Sequence, residues 1–354
     1  MPVEIRREGL RQQVDFRRCE ITRFPEPRKV SAVCRLSIVI PLLGDSQQFE
    51  DTLVSVLQNR PDRCEILVVH RGGYEDPYEL RDEVNFVQVA DNSSALETNN
   101  AGIRAARGDI VHLIQPGVLA EEGWVGAAVD RFHDSTIAAV SPLVLDAADR
   151  SRIAAAGVRF TPGGRRVVHG AGVRLDRAKR TLRKEIAGPA LIAAFYRRSV
   201  LDALGGLCPK AGIWHADVDL ALSLRRLGFR CPLEPESVMA TSDPQLSPPD
   251  SFETARCAER VFWRHWRQSA GPLAMLAHGM HITASLFAKP FRADSYAQLF
   301  GRALARLERS TYRQHAQRLR LAADACQVAD PTDSGDEDGT AMLSLSSYRR
   351  HIAA

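Results

Sequence analysis

Lysine is nearly missing from this chain. Only five of its 47 basic residues are lysines (Lys29, Lys179, Lys184, Lys210 and Lys289), leaving 42 arginines. The bias fits a genome's base composition, or arginine forks selected for phosphate. Against 43 acids the net charge is +4, too small an excess to indicate nucleic acid, and no nucleic-acid partner is expected. Cysteine pairing is missing too. The seven cysteines (Cys19, Cys34, Cys64, Cys208, Cys231, Cys257 and Cys326) are odd in number, scattered, and never spaced C-x-x-C. That excludes a disulfide framework and a cysteine zinc site, and points to a reducing compartment. The opening MPVEIRREGLRQQVDFRR lacks the apolar stretch of a signal peptide. No uncharged apolar run of membrane-spanning length is evident. The closest, residues 271–288, carries His278 and His281 and reads as a buried or interfacial helix. The expected location is cytoplasmic, with a peripheral position at the inner membrane face open through the basic residues 256–320.

What is present is a globular composition, 45% hydrophobic and 25% charged. Residues 1–34 are polar and arginine-rich and read as an extension. Apolar runs then alternate with helical periodicity. Leu36–Ile40 reads as a buried strand, and Phe49, Leu53 and Leu57 mark one face of a helix over 46–59. Ile66–Val69, Phe86–Val89 and Ile110–Ile114 are further strands. A helix capped at Ser93 or Ser94 lies before the last of them and ends at Gly108. This alternation predicts a mostly parallel, doubly wound α/β sheet, whose ligands bind beyond the carboxyl ends of the strands. No G-x-G-x-x-G follows the first strand and no G-x-x-x-x-G-K-[ST] exists, so a dinucleotide dehydrogenase and a P-loop NTPase are excluded by motif.

Residues 143–186 carry hairpin chemistry, with turns at 162–164 and 170–172, and nine bases against one acid between Gly157 and Lys184. A helix over 199–204 closes at Gly205-Gly206, and Asp217-Val218-Asp219 opens another that stops at Gly228. From about residue 251 the chain reads helical and basic. Residues 330–338 hold five acids and no bases, giving an acidic linker and tail over 328–354.

Five segments in order, LSIVIPLLGDSQQFEDTLVSVLQN, CEILVVHRGG, NNAGIRAARGDIVHLIQPGVLAEEGWV, AGPALIAAFYRRSVLDALGGL and WHADVDLALSLRRLGFRCPLEPESVMA, resemble the family 2 glycosyltransferases of GT-A fold, especially the rhamnosyltransferase-like branch. The likeness covers about residues 36–245. It implies a GT-A domain over 35–250, after which the helical basic reading gives a region over 251–327. It also implies a nucleotide-sugar donor and a glycan or polysaccharide acceptor. On the donor side it assigns Pro41, His70, Arg71, Asn100, Gln115 and Gly117; on the acceptor side Trp214, His215 and Asp219. Asp217 matches the acidic residue that deprotonates the acceptor hydroxyl.

The chain departs from the family where carboxylates are expected. His70 and Arg71 replace the nucleotide-binding aspartates, Gln115-Pro116-Gly117 replaces the metal motif, Thr241 stands where a metal-binding histidine falls, and Ala216 replaces a glutamate. Hard divalent cations want oxygen anions, so the expectation is no metal and no other cofactor, with arginines neutralising the donor diphosphate. Asp217 and Asp219 also suit plain helix capping. His169, His215 and His265 read as structural, with His215 singled out for its place two residues before Asp217. Three functions stay open: a transferase working without metal, a GT-A pseudoenzyme with a binding or assembly role, and a membrane or partner binder acting through 251–325. In the last case the interleaved aromatics and bases of 261–267 suit a bilayer interface or single-stranded nucleic acid, whereas a helix packed on the sheet domain needs neither.

Overall fold

A computed structural model of the chain describes residues 36–328, apart from 45, 73, 75, 77–78, 179–181, 183–185, 244–247, 270–271 and 289–292. The expected extension over 1–34 and residues 329–354 of the expected tail lie outside the described residues, as do Lys179, Arg180, Arg183 and Lys184.

The first half follows the periodicity closely. Strand β1 (Leu36–Pro41) is buried along its whole length and lies between β2 (Cys64–His70) and β4 (Ile110–Ile114), parallel to both. β3 (Asn85–Gln88) adds to β2, again parallel. Strands covered on both faces read as continuous Val/Ile/Leu runs, which is why these were legible. Helices α1 (Ser46–Gln58) and α2 (Ala95–Ala105) supply cover. α2 starts on a capping box: Ser94 Oγ accepts from Glu97 N–H, and the Glu97 carboxylate accepts from Ser94 N–H. Its end differs from expectation. Ala106 turns extended and closes the helix, whereas Gly108 is needed because a Cβ there would lie 2.8 Å from the Leu36 carbonyl carbon. Gly108 is a close-approach residue, not a cap.

The second half is mixed. After β5 (Val118–Ala120) and the short α3 (Gly126–Asp130) come β6 (Ala139–Asp146), β7 (Ile153–Ala155), the hairpin of β8 (Val158–Phe160) with β9 (Arg166–Val168), β10 (Ala193–Arg197), α4 (Arg198–Leu204), α5 (Ala216–Arg226) and β11 (Leu233–Thr241). The main sheet runs β3-β2-β1-β4-β10-β6-β11-β5, with β7 on β6. β10 is antiparallel to both β4 and β6. It enters from the carboxyl edge, where Gln115 N–H bonds Ile192 O. The mostly parallel sheet therefore carries antiparallel strands at its centre and at β5.

Four helices follow: α6 (Phe252–Ser269), α7 (Pro272–Ala288), α8 (Ala293–Leu307) and α9 (Arg309–Val328). α6 packs along α8, and α9 along α4. The aromatic-basic stretch is mostly interior: Val261, Phe262, Arg264 and His265 are buried. Glu259, fully buried, accepts from Trp263 Nε1, Arg302, Arg306 and His278 across α6, α7 and α8. Burial pushes its carboxyl up, but His278, Trp263 and Arg302 outweigh this and hold it down at about 2. Leu273, Leu276, Met280 and Phe287 on α7 are exposed. No helix among the described residues is long and apolar enough to cross a membrane.

Candidate functional site

In the order β3-β2-β1-β4 successive parallel strands are added on one side of β1 and then on the other, which makes β1/β4 the switch point. Ligands of such sheets sit in the crevice outside the carboxyl ends at that switch point. Pro41, His70, Gln115 and Gly117 all lie on this edge, because they end or follow β1, β2 and β4.

His70 is turned inward. Its Nδ1 donates to Arg71 O at 2.7 Å, and its ring meets Tyr74 and Phe86 at centroid distances of 5.6 and 6.1 Å. Arg71 Nε is buried with no hydrogen-bond partner. Gly72 N–H donates to Asp91 Oδ1 at 2.8 Å, which places a carboxylate from the loop after β3 on the same edge. The sequence reading did not single out Asp91. Gln115 Nε2 donates to Asn99 Oδ1 at 2.9 Å. Asn100, the neighbour assigned to the donor, is instead engaged on both sides of its amide: Nδ2 donates to Leu207 O and Oδ1 accepts from Leu207 N–H, each at 2.8 Å.

Gly117 has φ of 86°, in the left-handed region that glycine tolerates. Its N–H donates to Thr52 Oγ1 at 2.9 Å and its carbonyl accepts from Ser242 N–H at 2.8 Å. The loop at the metal-motif position is thus tied to α1 and to the end of β11. Thr241, buried, bonds Asp243 through its hydroxyl.

The acceptor-side residues gather at the start of α5. Trp214 is half-buried, and His215, Asp217 and Asp219 are buried. Asp217 is held by the guanidinium of Arg166 on β9: Nη2 donates to Oδ2 at 2.7 Å and Nε to Oδ1 at 3.0 Å. Val218 N–H donates to Oδ1 at 2.8 Å, and Leu191 N–H reaches Oδ2 at 3.4 Å. Both partners are nearly closed to solvent, at 5% and 1% side-chain exposure. Such a carboxylate is an anchored counter-ion, and it works as a proton acceptor only when the guanidinium moves off. Arg166 belonged to the run of nine bases, but no local spacing pairs it with Asp217, 51 positions away.

His215 is kept neutral: burial pushes its imidazole down to about 4, with Arg166 and Arg302 adding to this and Asp217 opposing it. Its Nδ1 has no partner. His169 is buried. Asp219 faces away from Asp217's partners. Oδ2 accepts from Arg264 Nη1 and Oδ1 from His265 Nε2, each at 3.0 Å. Burial raises its carboxyl, but Arg264 and His265 outweigh this and hold it well below the usual carboxylate range. Trp214 to Asp219 are therefore together, while the donor-side residues divide between the β1/β4 edge and the Asn100 clamp.

No protein-family model matches the sequence. No curated protein matches it either. Solved structures do match. A mannosyltransferase from Pyrobaculum calidifontis, in complex with GDP-Man and Mn²⁺, is 17% identical over 86% of this chain and 89% of its own, with a TM-score of 0.48. GalNAc-T7 with UDP, GalNAc and Mn²⁺ is 16% identical over 68% of this chain, with a TM-score of 0.51; the chain spans 49% of that protein. The latter likeness shows the fold, which is GT-A. The expectation of no metal is corrected. Gln115, Gly117 and Thr241 offer no carboxylate, but Asp219, His265 and His315 bring three ligand atoms within 4.8 Å of one another. The expectation overlooked them because they lie on three separate helices, away from the metal-motif loop.

Proposed function

We propose that the chain is a family 2 glycosyltransferase of the rhamnosyltransferase-like branch, moving a sugar from a nucleotide-sugar donor to a glycan or polysaccharide acceptor. The observation that carries this reading is that the end of β4 and the α5 N-terminus meet through one segment, where Ile192 O accepts from Gln115 N–H and Leu191 N–H reaches Asp217 Oδ2. The donor lies against Pro41, His70, Arg71, Gln115 and Gly117. The buried, unpartnered Nε of Arg71 is suited to a diphosphate oxygen. The acceptor enters beside Trp214 and His215. Its hydroxyl oxygen attacks the anomeric carbon, Asp217 takes the hydroxyl proton, and the nucleoside diphosphate leaves with the bonding electron pair. The step requires Arg166 to leave Asp217, and a diphosphate is the natural competitor for that guanidinium.

The same ion pair supports a second reading. With both Asp217 oxygens satisfied by Arg166 and backbone N–H groups, the scaffold binds in glycan synthesis without transferring. Calorimetry with UDP-, GDP- and dTDP-sugars, with and without Mn²⁺, together with an assay for released nucleoside diphosphate, separates the two. Release by the wild type that is lost in Asp217→Asn supports transfer. Binding without release in either protein supports the second reading, and a failure of every donor to bind sinks the first.

A further inference from the structure

Three helices meet at Asp219. Asp219 lies in the first turn of α5, His265 near the end of α6 and His315 in the first half of α9. All three side chains are buried, and one ligand atom from each lies within 4.8 Å of the others. The two imidazole rings meet edge to face at a centroid distance of 5.1 Å. Two ring nitrogens here are orphaned: His265 Nδ1 and His315 Nε2 are buried without a hydrogen-bond partner. A buried unsatisfied polar atom costs on the order of 1–3 kcal/mol, and His315 Nε2, on the ring that lines the neighbouring cavity with Asp219, calls for a ligand. Beside them is a cavity of about 20 Å³, lined by Asp219 and His315 with Leu204, Gly206, Cys208 and Arg318. That is room for a single water or ion.

We propose that Asp219, His265 and His315 form a binding site for one Zn²⁺ ion, with its remaining position open to this cavity. Two imidazoles and one carboxylate are a donor set that favours Zn²⁺ over Mg²⁺ or Ca²⁺, which prefer all-oxygen shells. Arg264 does not occupy the site. It donates to Asp219 Oδ2 and to Cys208 Sγ, leaving Oδ1 turned to His265. A metal there takes the place of the proton that His265 Nε2 now gives to Oδ1, and His265 carries its proton on Nδ1 instead. The ion ties α6 and α9 to the helix that carries Asp217, and none of its ligands is a donor-side residue, so the proposal does not depend on the transferase reading.

The test uses the untagged full-length chain stripped with chelator. Elemental analysis after adding ZnCl₂ and gel filtration is expected to find one ion per chain. Free Zn²⁺ at about 100 times its dissociation constant stabilises the native state by a factor of about 100, read as a raised melting temperature. His315→Ala, which removes no side-chain hydrogen bond to protein among the described residues, is expected to keep the circular dichroism spectrum and weaken Zn²⁺ binding by more than about 100-fold. His265→Ala is expected to do the same to the metal. No Zn²⁺ uptake by the wild type, uptake unchanged in both variants, or equal protection by MgCl₂ each overturns the proposal.

Discussion

His112 sits at the centre of β4 and is completely buried, stacked on Phe195 at a centroid distance of 3.6 Å and tilted against Trp124. Its Nδ1–H donates to Ala194 O at 3.0 Å, while Nε2 is buried with no partner. Protonation would place a charge on Nε2 in the middle of the sheet with nothing to accept from it. Burial accordingly pushes this imidazole down to about 3, against an ordinary 6.5, with the Ala194 bond opposing the shift. The folded chain thus refuses a proton that the unfolded chain accepts. Its contribution is fully present above the unfolded value and is lost as pH falls from about 6.5 toward 3, at up to about 1.4 kcal/mol per pH unit. Between about pH 7 and about pH 5 the loss from this residue comes to roughly 2 kcal/mol.

The variant that isolates it is His112→Leu, which fits a strand interior, removes the titrating group and also removes the orphaned Nε2. Its offset at neutral pH is set by the lost bond to Ala194 O, about 1 kcal/mol. The diagnostic is the slope rather than the offset. Other buried histidines titrate alike in both proteins and cancel in the difference. Urea denaturation of both proteins at several pH values in this range is expected to show the variant losing roughly 2 kcal/mol less than the wild type. Parallel losses, within about 0.5 kcal/mol, would refute the assignment of a neutral, unsatisfied His112.

Two further perturbations test the packing of the site's supports. A Cβ on Gly102 would overlap Val39 Cγ1 and lie 2.9 Å from Val69 Cγ2, so Gly102→Ala is expected to push α2 off β1 and β2. Overpacking of this kind costs roughly 2 kcal/mol, more than the gain of about 1 kcal/mol from replacing a helical glycine. An unchanged urea midpoint would contradict the close approach. Arg166→Ala leaves Asp217 buried and unpaired, which costs about 3–5 kcal/mol. Adding Asp217→Asn is expected to restore about half of that loss, because the second change removes the stranded charge. A double variant no more stable than Arg166→Ala alone would mean that charge compensation is not what joins the pair.

The parts of the fold legible in the sequence are those in which local pattern and tertiary environment agree. β1, β2 and β4 are buried on both faces, so their apolar runs announce them, and the Ser94–Glu97 capping box fixes the start of α2 within a residue. Gly108 was misread because glycine serves two needs, a left-handed cap and a close backbone approach, and only the neighbouring Leu36 backbone distinguishes them. The antiparallel course of β10 was not legible either. An apolar run has no direction, and β10's is set by where the chain arrives, with Ile192 O accepting from Gln115 N–H at the carboxyl end of β4.

The candidate site was legible in proportion to how local its chemistry is. A carboxylate in the first turn of a helix is visible from spacing alone, which is how Asp217 and Asp219 emerged. What distinguishes them is their partners, Arg166 for one and Arg264 with His265 for the other, and these are 51, 45 and 46 positions away. Two acids two residues apart thus have different environments: the first is joined to the β8–β9 hairpin through Arg166, the second to α6 through Arg264 and His265. The arginine bias with which the sequence presents itself looks different once those partners are known. Arg166, Arg260, Arg264, Arg302 and Arg306 each donate to a buried or partly buried carboxylate. Arg166 and Arg260 grip theirs with two nitrogens and Arg306 also lies over Trp263, contacts that need a planar fork lysine lacks. Whatever genomic pressure supplied the arginines, the fold uses these five as internal counter-ions. Of the five, only Arg166 holds the carboxylate on which the proposed transfer depends.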